Sequence, residues 1–453
     1  MRILIKDIDL IATFNNNLEE IKNGWIYIVD NVIKDVGGGS PPPLIRKDRV
    51  ISGKGMLILP GFVNTHHHFY QSLFRAVPEV QNAKLFDWLT FLYEKWKNID
   101  EEAVMVSTVT AILEMMKSGV TTTTDHLYLF PKGHPNLFDA EMEGADITGV
   151  RFYGTRGSMS LSKKDGGLPP DSVVQTEEEI LKDSERVVQK YNDTSRFSMH
   201  RVALAPCSPF SVTEDLMKDT AKLAEKYDLL LHTHLAETED EEKFCMEKFG
   251  LKPVDYMEKL GWLSPRVWFA HLVHVSDTDI RKLSRNNVGM SHCPSSNMRL
   301  GSGIAPVYKM KNTDIRISLG VDGSSSNDTG NFLLEIRNAL LLQRVKYGAN
   351  ALTPREALYF ATMGGAKVLR MEKEIGSIER GKAADIIGFK LDKIEFAGGL
   401  SDPVASLVLC DAKSVDFSMI NGEVLIEDGH FTKLNEKEFI DKHNAISKKL
   451  LGY

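Results

Sequence analysis

The chain has 453 residues, 42% of them hydrophobic and 26% charged, with a formal net charge of -7. These are ordinary globular proportions, which exclude a disordered chain and supply a sizeable core. The acidic balance gives no electrostatic footprint for a nucleic-acid backbone, and no stretch approaches the ~20 apolar residues that span a bilayer.

The first apolar segment, Met1 to Lys6, is interrupted by Asp7 and Asp9 before it reaches the length of a secretory signal core, so the expectation is a cytoplasmic protein. From Ile3 to Val50, short apolar runs such as Trp25 to Val29 are punctuated by Gly37-Gly38-Gly39 and Pro41-Pro42-Pro43, a pattern of short strands that forbids helix. From about residue 57 to residue 370 the pattern changes to apolar runs alternating with long amphipathic stretches. Strands are predicted at 57–63, 120–124, 150–154, 202–205, 229–232, 267–270, 288–291 and 315–321. Helices are predicted at 101–117, 177–191, 213–226 and 331–346. Such a series predicts an α/β fold, a (β/α)8 TIM-like barrel, in which chemistry sits where strands end and loops begin. Beyond it, 385–432 returns to short strands, with Asn421-Gly422 as a hairpin signal. A last helix is expected from Glu436 to about Leu451, with Asn435 and Glu438 as a capping pair. The predicted organisation is a small β-sandwich built from residues 1–58 and 373–453, the latter with the terminal helix, flanking a barrel at 59–372.

The residues at the predicted strand ends carry the functional signal. They are His66 and His68, then Asp125 and His126, Arg156, Cys207, the run His232-Thr233-His234-Leu235-Ala236-Glu237, His271, His292 and Asp322. Of 13 histidines, the seven at 66, 68, 126, 232, 234, 271 and 292 fall there rather than scattering over helices and loops. The four cysteines are dispersed and form no CxxC pair, which argues against a disulfide framework or a thiolate zinc site and leaves nitrogen and oxygen as metal donors.

A mononuclear divalent ion with three imidazoles and one carboxylate fits His66, His68, His234 and Asp322, with a position left for water. Glu237, three residues past His234, is placed to shuttle protons without coordinating; without His234 it would read as one more solvated acid in the run 237–242. His271 is a candidate electrophile or orienting group, and Asp322 a proton acceptor. His232, His274 and His292 divide evenly between support of the ligands and plain packing. Ala205-Pro206-Cys207 places no lysine at the end of the fourth strand, so a lysine-bridged binuclear centre is not expected.

These motifs resemble those of the amidohydrolase superfamily, and within it the cytosine/guanine deaminase-like group with a single metal. Pro60-Gly61-Phe62-Val63-Asn64-Thr65-His66-His67-His68 is similar to the PGxxNxHxH entry motif, His232 to Glu237 to HxHxxE, and Gly320-Val321-Asp322-Gly323 to the terminal aspartate motif. The resemblance implies one zinc ion per chain, or iron in some members, with a small heterocyclic base and water as reactants. It also implies a homo-oligomer without nucleic-acid or membrane partners. The segments around Gln71, Trp88, Arg156, Cys207 and Asn297 resemble those of the 8-oxoguanine deaminases, whose reaction yields urate and ammonia. Relatives in pattern act on isocytosine, guanine, pterins or triazines, and adenosine-type members carry histidine where Cys207 stands. Gln71 can read an amide edge and Trp88 can cover a planar ring. Arg156 is either a binder of a carbonyl oxygen or enolate or a structural ion-pair partner, and Cys207, being small, is read as making room for the ring. A non-catalytic binding barrel is the alternative from another class, and the intact ligand set and Glu237 argue against it.

Overall fold

The computed structural model describes residues 1–43 and 46–453. Eight parallel strands close into a barrel: β1 (Phe62–Asn64), β2 (Val120–Leu127), β3 (Arg151–Ser158), β4 (His200–Pro206), β5 (Leu231–Leu235), β6 (Val267–His271), β7 (Gly289–His292) and β8 (Arg316–Leu319). Closure is made where Leu319 of β8 pairs with Asn64 of β1. Every residue of β2 and β3 is buried. Helices cover the outside and side chains fill the inside, which is why these strands read as runs rich in Val and Thr rather than alternating ones.

Both chain ends build a second, nine-stranded sheet. At its centre, Arg2–Ala12 pairs along one edge with two strands in succession, Arg49–Ser52 and then Met56–Pro60, and an irregularity between Ile5 and Ile8 makes this possible. The C-terminal strand Ile386–Lys390 adds to Met56–Pro60 from the other side. Hydrogen bonding is therefore continuous through the strands of both ends, and the sheet encloses an isoleucine-rich core that includes Ile3, Ile26, Ile58 and Ile386. The hairpin at Asn421-Gly422 joins Phe417–Ile420 to Glu423–Glu427, with both central residues at positive φ (49° and 82°), as a type I′ turn requires.

The predicted first barrel strand, 57–63, needs correction. Met56–Pro60 belongs to the terminal sheet, and only Phe62–Asn64 enters the barrel. The switch occurs at Gly61, where a Cβ would lie 2.0 Å from Thr121 Oγ1, so no larger residue fits at the crossing. The terminal helix spans Glu436–Leu451 as expected, but Asn435 caps it through the Lys437 amide and not in a reciprocal pair with Glu438. It lies on the segment that follows His68, where His443 Nε2 donates to Ser72 O (3.0 Å) and Ser447 Oγ to Leu73 O (2.7 Å).

A buried ion pair ties barrel to sheet. Arg151, at the start of β3, donates from Nε and Nη2 to the two carboxylate oxygens of Asp385 (3.1 Å each), and from Nη1 to the carbonyls of Phe197 and Ser198. Asp385 also accepts from the Asn421 amide. Removing one partner of a buried pair leaves the other charge uncompensated, so Asp385→Ala should cost ~3–5 kcal/mol, measured by denaturant unfolding.

Candidate metal centre and active site

The ligand-type residues converge at the carboxyl ends of the strands, and their tautomers are fixed from behind. His232 Nδ1 donates to Trp268 O (2.9 Å), so its Nε2 accepts from His66 Nδ1 (2.8 Å). His68 Nδ1 donates to His126 O (2.8 Å), and His234 Nδ1 to Cys207 O (2.6 Å). Each outer nitrogen is thereby protonated, and each Nε2 turns a lone pair to one point. There the Nε2 atoms of His68 and His234 are 3.1 Å apart, while Asp322 Oδ1 lies 3.2 Å from His66 Nε2 and 3.3 Å from His68 Nε2. Lone pairs so close repel unless a cation sits among them, and donors ~2.0–2.1 Å from one tetrahedral ion are ~3.3 Å from each other. His66 Nε2 is moreover buried without a hydrogen-bond partner. The donor set fits a divalent ion.

Local backbone brings these groups in. His232 and His234 both lie on β5 and, two residues apart, face the barrel interior at successive levels. His66 and His68 lie beyond the end of β1. Ala236, His271 and Asp322 have φ of 52°, 75° and 62°, the left-handed region that side chains other than glycine disfavour and that the surrounding structure must enforce. Asp322 Oδ1 accepts from the Gly323 amide (2.7 Å) and Oδ2 from Ser326 Oγ (3.2 Å). His271 Nδ1 bonds Asn297 Oδ1 (3.0 Å), and its Nε2 is 3.6 Å from Glu237 Oε2 and 4.0 Å from Asp322 Oδ2.

Two buried carboxyls in one site are driven apart electrostatically. Burial, reinforced by the charge of Asp322, pushes Glu237 up to about 8. Burial also opposes ionisation of Asp322, but the adjoining rings of His66 and His68, and then the field of His66 and His271, outweigh it and hold this carboxyl well below its ordinary range. His234 is pushed down to about 3 by burial and then by the charge of His68, so its lone pair is available at neutral pH.

Gln71, Trp88 and Cys207 line the adjoining cavity together with His68, Glu237 and Asp322. Arg156 does not. Its Nε donates to Asp183 (2.9 Å) and its Nη2 to Gln175 (2.9 Å), Nη1 bonds the Gly157 carbonyl, and its guanidinium lies 3.8 Å over the Phe130 ring. Every nitrogen of the group is thus occupied away from the cavity, which corrects the expectation of a substrate contact. His292 is packed with both ring nitrogens unpartnered, and His274 bonds Ser302 O. His67 accepts from the His68 amide and does not join the ligand cluster. Tyr128 and Ser326 also line the cavity, and the sequence reading missed both. Tyr128 follows His126 by two residues, the same spacing that paired His66 with His68, and could have been found by it; Ser326 carries no such signal. The cavity has about 30 Å³ of free volume, far below the ~300 Å³ of an ordinary ligand pocket, so its walls must part for a ring to enter. Helix Leu85–Trp96 supplies Trp88 and Tyr93 to one wall.

The model of the amidohydrolase family matches residues 57–425. The chain belongs to the amidohydrolase family. It is 44% identical over 442 residues to an 8-oxoguanine deaminase of Pseudomonas aeruginosa, an alignment covering 98% of each chain. It is 32% identical to a hydroxydechloroatrazine ethylaminohydrolase of Pseudomonas sp. strain ADP, over 89% of this chain and 84% of that one. Among solved structures it superimposes with a TM-score of 0.92 on an atrazine chlorohydrolase of Arthrobacter aurescens TC1 complexed with zinc, at 30% identity and covering 99% of this chain and 100% of that one. The protein is a metal-binding hydrolase of the class that acts on carbon–nitrogen bonds in cyclic amidines. No described helix is long and apolar enough to cross a membrane.

Proposed function

We propose that this protein deaminates a free oxidised purine base, 8-oxoguanine, to urate and ammonia with one zinc ion per chain. The observation that carries the reading is the geometry of two buried carboxyls on either side of His271, Glu237 Oε2 at 3.6 Å and Asp322 Oδ2 at 4.0 Å from its Nε2, in the cavity beside the histidine cluster. Burial pushes Glu237 up to about 8 while Asp322 is held low, which suits one to act as acid and the other as base. A divalent ion, when bound, would be held by His66, His68, His234 and Asp322 and would supply an activated water. Glu237 gives its proton to the ring nitrogen beside that carbon as water adds. Asp322 takes a proton from the water and passes it to the amine, while Glu237, now a carboxylate, takes the proton of the added hydroxyl, so that ammonia leaves, the ring keeps the oxygen and Glu237 regains its acid form. His271, with Nδ1 tied to Asn297, orients the attack from its Nε2.

The remaining residues read the ring. Gln71 Oε1 accepts from Ser325 Oγ (2.8 Å) and Nε2 gives one N–H to Tyr128 Oη (3.4 Å), which leaves its second N–H as the donor for an acceptor on the base. Trp88 has its Nε1 bound to Ser325 O (3.1 Å) and so offers the substrate only its face. Cys207 leaves room at the ring edge. The 44% identical 8-oxoguanine deaminase supports this choice of base, and the hydroxydechloroatrazine ethylaminohydrolase favours a hydroxylated triazine as the second reading. Ammonia release measured with 8-oxoguanine, guanine, isocytosine, isoxanthopterin and hydroxylated triazines decides between them. We expect the highest kcat/KM for 8-oxoguanine, because a site built to pair with a polar group rejects an analogue lacking it by as much as ~10⁴. A higher kcat/KM for guanine or a triazine would overturn the choice of base and leave the reaction class standing.

A further inference from the structure

Glu241 stands outside the cavity, yet it is fully buried and faces the backbone from which Glu237 projects. It occupies the third position of helix Glu239–Phe249, whose cap is Thr238. Thr238-x-x-Glu241 has the composition of a capping box, in which the acid would reach back to the amide of the cap residue itself. Among the described residues, three other helices close that box, with Thr176 and Glu179, Ser276 and Asp279, and Thr353 and Glu356. Here Thr238 Oγ1 still accepts from the Glu241 amide (3.4 Å). The carboxylate, however, passes the cap and takes the two preceding amides, Oε1 from Ala236 and Oε2 from Glu237, both at 2.9 Å.

Those two amides belong to the turn that delivers Glu237. Ala236 sits at φ 52°, where the chain breaks sharply from β5. The Ala236 carbonyl accepts from the amides of Val273 and His274, so the same turn holds the loop after His271. Burial pushes the Glu241 carboxyl up to about 7, and the hydrogen bonds from the Glu237 and Ala236 amides are the largest influences that hold it down. Helix capping alone would not require this, since an exposed acid such as Glu179 closes a box without burying a charge.

We propose that Glu241 is a positioning residue for catalysis, a carboxylate clamp whose two oxygens fix the Ala236–Glu237 turn and thereby aim the Glu237 carboxyl at the substrate. The proposal rests on Glu237 being the proton carrier. Its role is to hold geometry, and a misplacement of ~1 Å at a catalytic group costs up to ~10²-fold in rate.

The test is a double-mutant cycle on the zinc-loaded enzyme, with Glu241→Gln and Glu237→Gln made singly and together, and with kcat, KM and bound metal measured for each. Glutamine at 241 keeps one acceptor and turns an N–H toward an amide that must donate. We expect kcat to fall at least ~10-fold with KM and metal content within about twofold, and the same change to have almost no further effect once Glu237 is glutamine. Amide hydrogen exchange in 235–238 should accelerate in Glu241→Gln. Thr238→Ala, which weakens the same helix cap but spares both clamped amides, should lower Tm without changing kcat. Equal losses from Glu241→Gln in both backgrounds, or a kcat within twofold of the parent, would overturn the proposal. So would slow exchange at 235–238 in Glu241→Gln, or a kcat loss in Thr238→Ala that matches it. Retention of kcat by the single Glu237→Gln variant is a separate failure, that of the proton-carrier reading itself.

Discussion

Glu237→Gln should bind metal as the parent does and lose catalysis. Glu237 lies outside both groups of mutually close donors at the centre, so its replacement leaves the ligand shell intact. The amide keeps the shape of the carboxyl and its contact with His271, but it has no proton to exchange. A general acid–base group contributes ~10²–10⁴ in rate, so the loss belongs in kcat while metal analysis stays unchanged. Because burial pushes Glu237 up to about 8, the parent keeps its acid form through neutral pH. The sign follows: kcat/KM that depends on this proton is full below that value and declines as pH rises through it, and this limb should be missing from whatever activity Glu237→Gln retains. Near-parental kcat in the variant would assign the proton to another residue.

The barrel and its ligands were legible because of where polar residues interrupt apolar strands. A strand buried on both faces tolerates a histidine only where it ends or where a partner awaits it, so His66, His68, His234 and His271 stood out at the mouths of four runs. Other features depend on partners far along the chain. The run from Met56 to Val63 is uniformly apolar apart from Pro60 and Gly61, and nothing in it tells that its first half pairs with Ile386–Lys390 while its second half pairs with Val120–Leu127. Arg156 sits at a strand end as a substrate ligand would, but Gln175 and Asp183, 19 and 27 residues later, capture its guanidinium. The role of His232 was equally invisible: two alternating histidines on one strand read as two ligands or as one ligand and one support, and only the bond from His66 Nδ1 to His232 Nε2 decides between them.

That bond sets up a graded prediction for the metal. His66→Ala should abolish both metal retention and activity, because it removes one of three imidazoles from a set in which only one carboxylate would remain to help the other two. His232→Ala removes no donor. It frees His66 to rotate and to place its proton on either nitrogen, and loss of such a supporting hydrogen bond weakens metal affinity by ~10–100-fold. The variant should therefore regain metal and activity when the ion is supplied in excess, which His66→Ala should not do. Stoichiometric metal in purified His66→Ala would remove that residue from the ligand set. Behaviour of His232→Ala identical to that of His66→Ala, without rescue by added metal, would mean that His232 is itself required at the ion and does more than orient His66.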